Sequence, residues 1–556
     1  MMSQILERRP MAVIALLAAF AALMGVFTLP PLDRDESRFA QATAQMLETG
    51  DLVQIRFQDE ARNKKPIGIH WMQAVTTGLF GGAEARAMWT YRIPSVLGAM
   101  LAALACYWGG AKLIGRQAAA AGAALFAVTI LLGIEGGIAK TDAMLAGLTT
   151  LAMAALASLR TGGGRKSALL FWAAIGLGVL IKGPVTPMVA GLAILVLAVW
   201  ERKLAWLKPL AWWPGPILAI AIAAPWLIAV QIATDGEFLR QALGDDLGPK
   251  LVSGHERHGG LPGYHLLLLP ILFVPAIFFL IPGAMRLVDA FRGRADDAAV
   301  SAARFLLAWA IPVWLVFEIL PTKLPHYVLP AYPALALIAG WGWVQLSQSG
   351  IAVRSISALL GLFGVAVLTA LIVAVPGIYG PGWWVGALLA GSFALPGLGA
   401  AMETLRGRAS TALVLALLAG LAWHLAARGL AVSASSDLRL AERSRAAIAE
   451  MAHDHGLDAD GLPVVSTYTE PSLVFSLGTD TRLTEWAQLG ALSNAQGGPH
   501  ISIEDTSRAG DDLAVLETLE TGVCDRRELA GFNYSRGDET VLIVRLHNCP
   551  EVSETP

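Results

Sequence analysis

The sequence predicts a polytopic α-helical membrane protein followed by a small α/β domain. Hydrophobic residues make up 55% of its 556 residues and charged residues only 15%, and the mean hydropathy is +0.57. Apolar stretches of roughly 17 to 25 residues, the length that crosses a bilayer as a helix, recur until about residue 430. This composition excludes a chain built only of soluble domains.

The apolar stretches predict about thirteen transmembrane helices, since only a helix satisfies its own backbone polar groups inside a bilayer. Arg8 and Arg9 precede the first stretch, which is also the pattern of a cleaved signal peptide. That stretch is long and lacks a clean small-x-small cleavage site, so a retained helix is favoured. The predicted spans lie near residues 11–30, 91–111, 117–135, 142–159, 167–182, 184–200, 211–233, 264–285, 302–320, 325–346, 352–375, 383–402 and 409–430.

The cations of the short loops predict the orientation of the chain. Lys and Arg occur in every second loop, as they do on the cytoplasmic side of membrane proteins. An odd number of spans then places the segment after residue 430 on the outer side, together with the loop that follows the first helix. The basic loops contain Lys112 and Arg116; Arg160, Arg165 and Lys166; Arg202, Lys203 and Lys208; Arg286, Arg292 and Arg294; Arg354; and Arg406 and Arg408.

The chain changes character near residue 430, which predicts a membrane domain (1–430) and an outer domain (431–556). The outer segment has 9 Lys and Arg against 21 Asp and Glu, and such an acidic domain repels nucleic acid. Its "LPVVSTYTEPSLVFSLGTDTRL" is typical of strand, helix and strand, and "ETVLIVRL" of a further strand. Cys524 and Cys549 lie here, and whether they form a disulfide is left open by the sequence.

The loop after the first helix, residues 33–82, is predicted to hold two helices that lie along the membrane surface. Asp35 is a good N-cap for the first, Glu36 suits its first turn, and Gly50 ends it. The second helix begins at Pro66. The predicted apolar faces consist of Phe39, Ala42, Met46 and Leu47 in the first helix and of Ile67, Trp71, Val75 and Leu79 in the second.

Further outer loops place charged residues at the mouths of apolar helices. Asp142 starts one helix two residues after Lys140, where an N-cap role alone would explain it. Lys323 stands with His326 and Tyr327 at the entrance of another helix, and its ammonium could simply reach the headgroups. One membrane face thus gathers ionisable residues, whereas the interiors of the predicted spans are nearly free of charge.

The loop after the seventh predicted span contains a candidate metal site. His255, Glu256 and His258 follow one another closely in "GHERHGG". Two imidazoles and one carboxylate, without a third His or a Cys, make a weak ligand set for zinc. The sequence therefore requires no metal or other cofactor.

A series of motifs in this chain resembles, in order, those of the membrane glycosyltransferases that use polyprenyl-phosphate sugars. This family has GT-C architecture and includes the bacterial lipid A aminoarabinose transferases and the protein O-mannosyltransferases. The resemblance extends over about residues 10–345, and more loosely to the outer domain. The motifs are "DESRFAQATAQMLETGD", "KKPIGIHWMQ", "AKTDAMLAG", "GLGVLIKGPV", "APWLIAV", "GHERHGGLPGY" and "TKLPHYVLPAYPALAL".

The resemblance implies an inverting transfer of a sugar from a polyprenyl (undecaprenyl-type) phosphate donor. The implied acceptor is lipid A, another glycolipid or a protein, and the motifs do not distinguish among them. The implied location is the bacterial inner membrane, with the active site and the outer domain on the periplasmic side and membrane lipids as surroundings. Neither the sugar nor the role of the outer domain follows from the motifs.

The resemblance also implies roles for individual residues. It assigns the catalytic base to Asp35, with Glu36 as the alternative, and a supporting role to Asp142. A phosphodiester leaving group needs neutralising cations more than an acid. If a divalent metal ion takes part, His258 and Glu256 are its candidate ligands. The groups expected around the donor phosphate are Lys65, Lys323, Lys64, Arg257, His258 and Tyr327.

The chain departs from the family pattern at three positions that concern the acceptor rather than the core motifs. Phe39 stands where the family often has Tyr, and Ile67 stands where a second Pro is common. An additional residue separates His258 from Pro262.

Two other functional classes are the alternatives. A secondary transporter or flippase would hold ionisable groups near the bilayer midplane in repeated, broken helices. Glu318, close to the end of its span, and His424 are the main candidates for such groups, and no repeated half is visible. A structural membrane subunit would use the charges only to cap helices and to anchor them at the headgroups.

Overall fold

The computed structural model describes residues 6, 8–32, 34–242, 244, 260–508, 520 and 522–550. A helical bundle extends to residue 432 and is followed by a C-terminal domain built around a five-stranded sheet. The helices of the bundle are α1 (Pro10–Leu23), α2 (Arg34–Thr49), α3 (Gly68–Leu79), α4 (Met88–Leu113), α5 (Arg116–Ala127), α6 (Ile130–Gly136), α7 (Asp142–Arg160), α8 (Arg165–Lys182), α9 (Val185–Glu201), α10 (Pro214–Ala233), α11 (Glu237–Gln241), α12 (Tyr264–Leu272), α13 (Ile277–Phe291), α14 (Asp297–Ile319), α15 (Tyr332–Gln345), α16 (Ile351–Tyr379), α17 (Trp383–Arg406) and α18 (Ala409–Trp423), which a π-helix (His424–Val432) continues.

Within the described residues, eight helices are long and apolar enough to cross a membrane, and two bent pairs raise the number to ten. The pairs are α5 with α6, bent by 57°, and α12 with α13, bent by 119°. The other predicted spans are helical too, but α1 and α9 are shorter, and α8 carries Arg165, Lys166 and Lys182 at its ends. The predicted polytopic helical class is thus confirmed, with eight to ten clear crossing helices rather than about thirteen.

Helix α2 is the first of the two surface helices predicted for residues 33–82. Its Phe39, Ala42 and Met46 are buried, as the apolar pattern predicts. The helix begins at Arg34, so Asp35 lies in the first turn and is not the N-cap that the sequence suggested. It ends at Thr49, before a glycine whose positive φ of 72° stops the helix.

Helix α3 exposes three of the four residues of the apolar stripe predicted for it and buries its polar side, whereas the fourth residue, Ile67, precedes the helix and is buried. Trp71, Val75 and Leu79 are exposed, as expected of a helix whose apolar face meets the bilayer surface. Its opposite side packs on α2, where the Thr43 hydroxyl donates to Gln73 Oε1 at 2.8 Å and is hydrogen-bonded to His70 Nδ1 at 2.7 Å. These buried bonds hold the two surface helices together.

The C-terminal domain confirms the α/β pattern read from the sequence. Its strands are β3 (Val464–Ser466), β4 (Arg482–Leu483), β5 (His500–Asp505), β6 (Val523–Asn533) and β7 (Asp538–His547). They follow the order β4-β3-β5-β7-β6, with parallel pairing of β3 to β4 and β5 and antiparallel pairing of β7 to β5 and β6. Cys524 and Cys549 form a disulfide. The helices of the domain are α19 (Leu440–Asp454), α20 (Pro471–Leu477) and α21 (Trp486–Asn494). The two remaining strands, β1 (Arg56–Phe57) and β2 (Glu60–Ala61), form a hairpin in the loop between α2 and α3 of the bundle.

The C-terminal domain is docked on α2. Gln41 Nε2 donates to Thr479 Oγ1 at 2.7 Å, and the rings of Tyr91 and Phe475 meet edge to face with centroids 5.4 Å apart. Arg34 forms an ion pair with Glu470 of the domain. The domain therefore contacts the segment of the bundle that carries Asp35.

The two ends of the bundle differ in charge. Helix α7 runs over 19 residues from Asp142 to Arg160, which corresponds to about 28 Å along its axis. The basic loop with Arg165 lies at the far end, whereas α2, α3 and the docked domain lie at the end marked by Asp142. Glu318 and His424, the main candidates for ionisable groups inside predicted spans, are both packed into the protein: Glu318 accepts from His265 Nδ1 at 3.0 Å, and His424 is fully buried.

Candidate active site

Asp35 and Glu36 are adjacent in α2 but have different surroundings. The Glu36 carboxylate is buried and accepts two hydrogen bonds from the Arg92 guanidinium, at 2.8 and 3.1 Å. Its Oε1 also accepts from the backbone N–H of Ala139 at 2.8 Å. Arg92 in turn donates to backbone carbonyls at the end of α1, including Val26 O at 2.7 Å. Glu36 therefore belongs to a buried structural ion pair, contrary to its expected place as an alternative base.

Asp35 keeps contact with solvent inside a basic environment. Its side chain is 53% exposed and lies 3.8 Å from the Arg38 guanidinium. Partial desolvation raises the pKa of Asp35, but the positive charges of Arg62, Lys140, Lys65 and Arg38 together lower that pKa below its ordinary value. The carboxyl group is therefore ionised at neutral pH and able to accept a proton.

The residues next to Asp35 form a compact set of charges, which we call the acid–lysine cluster. The cluster consists of Glu135, Lys140, Asp142, Lys182 and His326, and all but His326 and Lys182 are nearly fully buried. Lys182 Nζ donates to Asp142 Oδ1 at 2.5 Å, and Lys140 Nζ lies 3.5 Å from Glu135 Oε2. The His326 ring lies between the two acids, 3.6 Å from Glu135 and 3.7 Å from Asp142.

Two antiparallel helices place Asp142 and Lys182 side by side. Asp142 is the first residue of α7, where the positive end of the helix dipole stabilises a carboxylate. Lys182 is the last residue of α8, where the dipole favours a cation. Helix α7 also approaches α4 closely, because a Cβ atom on Gly98 would lie 2.4 Å from the backbone N of Met144. Only glycine permits this contact, which holds the start of α7 in position.

A cavity of about 510 Å³ opens beside the acid–lysine cluster. Asp142, Lys182 and His326 line it, together with Lys64 and Lys65 of the loop before α3. The rest of its wall is apolar and includes Leu145, Val179, Val185, Leu227, Phe238, Phe317, Leu320 and Leu329. The cavity thus combines a cationic end with a long hydrocarbon surface.

Tyr327 also lines the cavity, and its ring lies 5.8 Å from Lys182 Nζ. Four residues of the predicted set, Lys64, Lys65, Asp142 and Tyr327, therefore border one hollow. Asp35 is not among the residues that line the cavity, but the charges of Lys65 on its wall and of Lys140 in the cluster act on the Asp35 carboxyl group.

Lys323 occupies a different position from the one expected for a phosphate ligand. Its side chain is buried, and its Nζ donates to the backbone carbonyls of Glu318 and Leu320, both at 2.7 Å. These are orphan carbonyls at the end of α14, so Lys323 caps that helix. Its neighbour Thr322, not its ammonium, borders the cavity.

The expected ligands Arg257, His258 and Glu256 lie outside the described residues. Within the described part of the chain, one other set of side chains has metal-ligand geometry, with atoms of Glu135, Asp142 and His326 within 4.8 Å of one another. Two ammonium groups already neutralise both acids of this set. A divalent cation would have to displace or adjoin these lysines, so the residues fit such an ion poorly.

Sequence reasoning missed three members of the acid–lysine cluster as site residues: Glu135, Lys182 and His326. Lys182 ends an otherwise apolar helix, and Glu135 stands alone in "GIEGGIAK". An isolated charge inside or at the end of an apolar run was the available signal. His326 was noted at its helix entrance, but nothing in the sequence indicated that it faces Asp142.

Comparison with known proteins supports this reading of the fold. Residues 64–228 match the family described as dolichyl-phosphate-mannose-protein mannosyltransferase. The chain is similar to an undecaprenyl phosphate-alpha-4-amino-4-deoxy-L-arabinose arabinosyl transferase of Aeromonas salmonicida strain A449, with 28% identity over 365 residues, 63% of this chain and 64% of that protein. A protein of the same name from Pseudomonas aeruginosa PAO1 is 28% identical over 59% of each chain. The match thus spans less than two thirds of these relatives.

Solved structures show the same architecture over nearly the whole chain. Crystal structures of ArnT from Cupriavidus metallidurans, in the apo state and bound to undecaprenyl phosphate, both match with a TM-score of 0.72, at 19% and 20% identity, and cover 96% of this chain and 97% of theirs. An oligosaccharyltransferase of Archaeoglobus fulgidus matches at 0.51 and 12% identity, over 93% of this chain and 73% of that one. The resemblance read from the motifs is confirmed: residues 64–228 are similar to the dolichyl-phosphate-mannose-protein mannosyltransferase family, and the chain has the fold seen in the ArnT crystal structures.

Proposed function

We propose that the protein transfers a sugar from a polyprenyl phosphate to an acceptor at the outer face of a bacterial inner membrane. The observation that carries the proposal is the cavity in which Lys64, Lys65 and Lys182 meet Asp142 at one end of a hydrocarbon wall. A sugar carried on an isoprenoid phosphate has matching parts in the same order: a polar sugar, an anionic phosphate and a long apolar chain.

The donor phosphate would bind among the lysines. Lys65 and Lys182 carry ammonium groups on the wall of the cavity, and a phosphate there is stabilised by charge-assisted hydrogen bonds. The isoprenoid would lie against apolar side chains such as Leu227, Phe238 and Phe317. Burial of that chain supplies the apolar part of the binding free energy.

Transfer in this geometry is an attack on the anomeric carbon from the side opposite the phosphate. Asp35 accepts the proton of the attacking group while the bond from the acceptor oxygen or nitrogen to that carbon forms. The bond between the carbon and the phosphate oxygen breaks at the same time, and the polyprenyl phosphate leaves with its negative charge facing the lysines. The configuration at the carbon is inverted. Asp142, held by Lys182 at 2.5 Å, orients the reacting groups.

Undecaprenyl-phosphate aminoarabinose is the first donor to test, and lipid A is the first acceptor. The choice rests on the names of the Aeromonas and Pseudomonas relatives. Purified protein in liposomes would be incubated with this donor and lipid A, and a mass increase of one aminoarabinosyl group on lipid A would be measured. Asp35→Asn should abolish the increase while the protein remains folded.

The same preparation separates transfer from transport. A transferase consumes the donor and forms a glycosylated acceptor whether or not the liposomes are sealed. A transporter or flippase moves solute or lipid across a sealed bilayer and leaves the glycosidic bond intact. Flux without donor consumption, tested over a panel of polyprenyl-phosphate sugars with lipid and protein acceptors, would contradict the proposed function.

A further inference from the structure

A second cavity, which we call the arginine pocket, lies between the bundle and the C-terminal domain. It has a volume of about 600 Å³ and shares no lining residue with the cavity of the proposed donor site. Its walls come from the end of the first membrane segment, from the start of α4, and from α19 and α20 of the C-terminal domain. The lining charges are Arg86, Arg92, Arg439, Arg445 and Glu442.

The pocket carries more positive charge than its acids neutralise. Arg439 is paired with Glu442 at 2.6 Å, and its guanidinium also donates to Ser433 O at 2.7 Å. Arg86 pairs with Glu48 on α2. Arg445 is exposed, and within the described part of the chain no carboxylate forms an ion pair with it. A guanidinium of this kind is suited to bidentate binding of a phosphate group.

The other half of the pocket is apolar and lies at the level where α4 enters the bundle. Phe27 is 66% exposed, and its ring centroid lies 5.5 Å from that of Trp89. Trp89 also contacts Phe80, at 5.3 Å. Aromatic side chains that gather at the ends of crossing helices mark the headgroup region of a bilayer. The arginines therefore stand just outside this region, and the aromatic rings lie within it.

Helix α2 separates the arginine pocket from the proposed donor site. Glu36 on one side of the helix binds Arg92, which lines the pocket. Asp35 on another side lies close to Lys65 and Lys140. An amphiphile in the arginine pocket is therefore a different molecule from a donor whose phosphate lies among the lysines.

We propose that the arginine pocket binds the phosphate-bearing headgroup of an anionic membrane lipid. The phosphate lies against Arg445 and Arg439, and the first carbons of the lipid chains lie against Phe27 and Trp89. A free phosphate ion would use only the arginine half of the pocket, so the aromatic half favours a lipid. This inference does not depend on the reaction proposed above.

Native mass spectrometry of the full chain in detergent, titrated with phosphatidylglycerol or phosphatidylcholine, tests the proposal. Arg445→Gln should weaken phosphatidylglycerol binding about fivefold, the contribution of one arginine near an anionic headgroup. Phosphatidylcholine binding should stay unchanged, because its headgroup has no net charge. Arg526→Gln on β6, which removes the same charge from an exposed position outside the pocket, serves as the matched control.

Two further measurements make the result decisive. Trp89→Ala should also weaken phosphatidylglycerol, and inorganic phosphate at millimolar concentration should compete poorly with the lipid. Equal phosphatidylglycerol binding by Arg445→Gln and the unaltered chain would overturn the proposal. So would full competition by inorganic phosphate together with no effect of Trp89→Ala, since that result describes a site for free phosphate.

Discussion

Arg34 of α2 donates two hydrogen bonds, at 2.8 and 2.5 Å, to the carboxylate of Glu470 in the C-terminal domain. Glu470 is buried and also meets Arg536 at 3.0 Å and Asn533 at 2.9 Å. Burial raises the pKa of Glu470, but the bonds from Arg34 and Asn533 lower it overall, so the carboxyl group is ionised at neutral pH. Arg34 immediately precedes Asp35, so we expect the C-terminal domain to help position the proposed base.

Glu470→Gln is expected to lower the free energy of unfolding by about 1–3 kcal/mol, because it leaves charged donors with a neutral acceptor. It should also reduce kcat with little change in KM for the donor, since the start of α2 loses its anchor. Thermal unfolding and steady-state kinetics of Arg34→Gln, Glu470→Gln and the double variant measure the coupling. If the two single effects on kcat simply add, the pair does not position Asp35.

Asp35→Asn and Glu36→Gln, two isosteric changes at adjacent positions, should have opposite consequences. Asp35→Asn removes the proposed base and should reduce kcat by about 100-fold or more, with little effect on stability. Glu36→Gln disrupts a buried ion pair with Arg92 and should destabilise the fold by about 3–5 kcal/mol, while the folded fraction retains turnover. Activity normalised to folded protein, with thermal unfolding beside it, distinguishes them. Full turnover by folded Asp35→Asn would contradict the assignment of Asp35 as the catalytic base.

Lys182→Met and Lys323→Met test which lysine serves the donor. Lys182 lines the cavity and contacts Asp142, so its loss should raise KM for the donor about tenfold or more. Lys323 donates to the carbonyls at the end of α14, so its loss should lower the melting temperature and leave KM unchanged. A raised KM in Lys323→Met together with an unchanged KM in Lys182→Met would instead assign Lys323 to the donor phosphate, as the sequence predicted.

The low pKa of Asp35 predicts the acid side of the pH profile. The pKa of Asp35 lies below its ordinary value of 3.8. Protonation of Asp35 should therefore cause no fall in kcat/KM, that is, no acid limb, above about pH 4. Arg62→Gln removes one of the charges that lower the pKa of Asp35, so the acid limb should move to higher pH. Arg56→Gln on β1, an exposed position, is the control and should leave the profile unchanged. An unaltered profile in Arg62→Gln would contradict the electrostatic account.

Removal of divalent metal should leave the reaction rate within about twofold. The expectation follows from Lys140 and Lys182, which already neutralise the acids of the one ligand-like set among the described residues. The measurement is turnover after treatment with a chelator, with and without added Mg²⁺, Mn²⁺ or Zn²⁺. A loss of activity that one of these ions restores would indicate a metal site, for which Glu256 and His258 become the first ligands to replace.

The amino-acid sequence determined the membrane class, most of the helical spans, the surface helices and three of the five strands of the C-terminal domain; β5 and β6 were not predicted. These properties depend on composition and periodicity, which are local, and on Gly50 and Pro66, which mark the boundaries of the surface helices. The ordered motifs also indicated Asp35, Asp142 and Lys65. Asp35 and Asp142 stand in the first turns of their helices and Lys65 in the loop just before α3, where a charge close to apolar residues is conspicuous.

Only the tertiary structure decided which charges meet. Glu36 and Asp35 are neighbours in the chain, yet one binds Arg92 and the other lies near Lys65 and Lys140, because successive residues on a helix point in directions about 100° apart. Lys182 and Lys323 are both single lysines at helix ends, but one reaches Asp142 and the other caps its own helix. Such choices depend on which helix packs against which, and that is a long-range property of the fold.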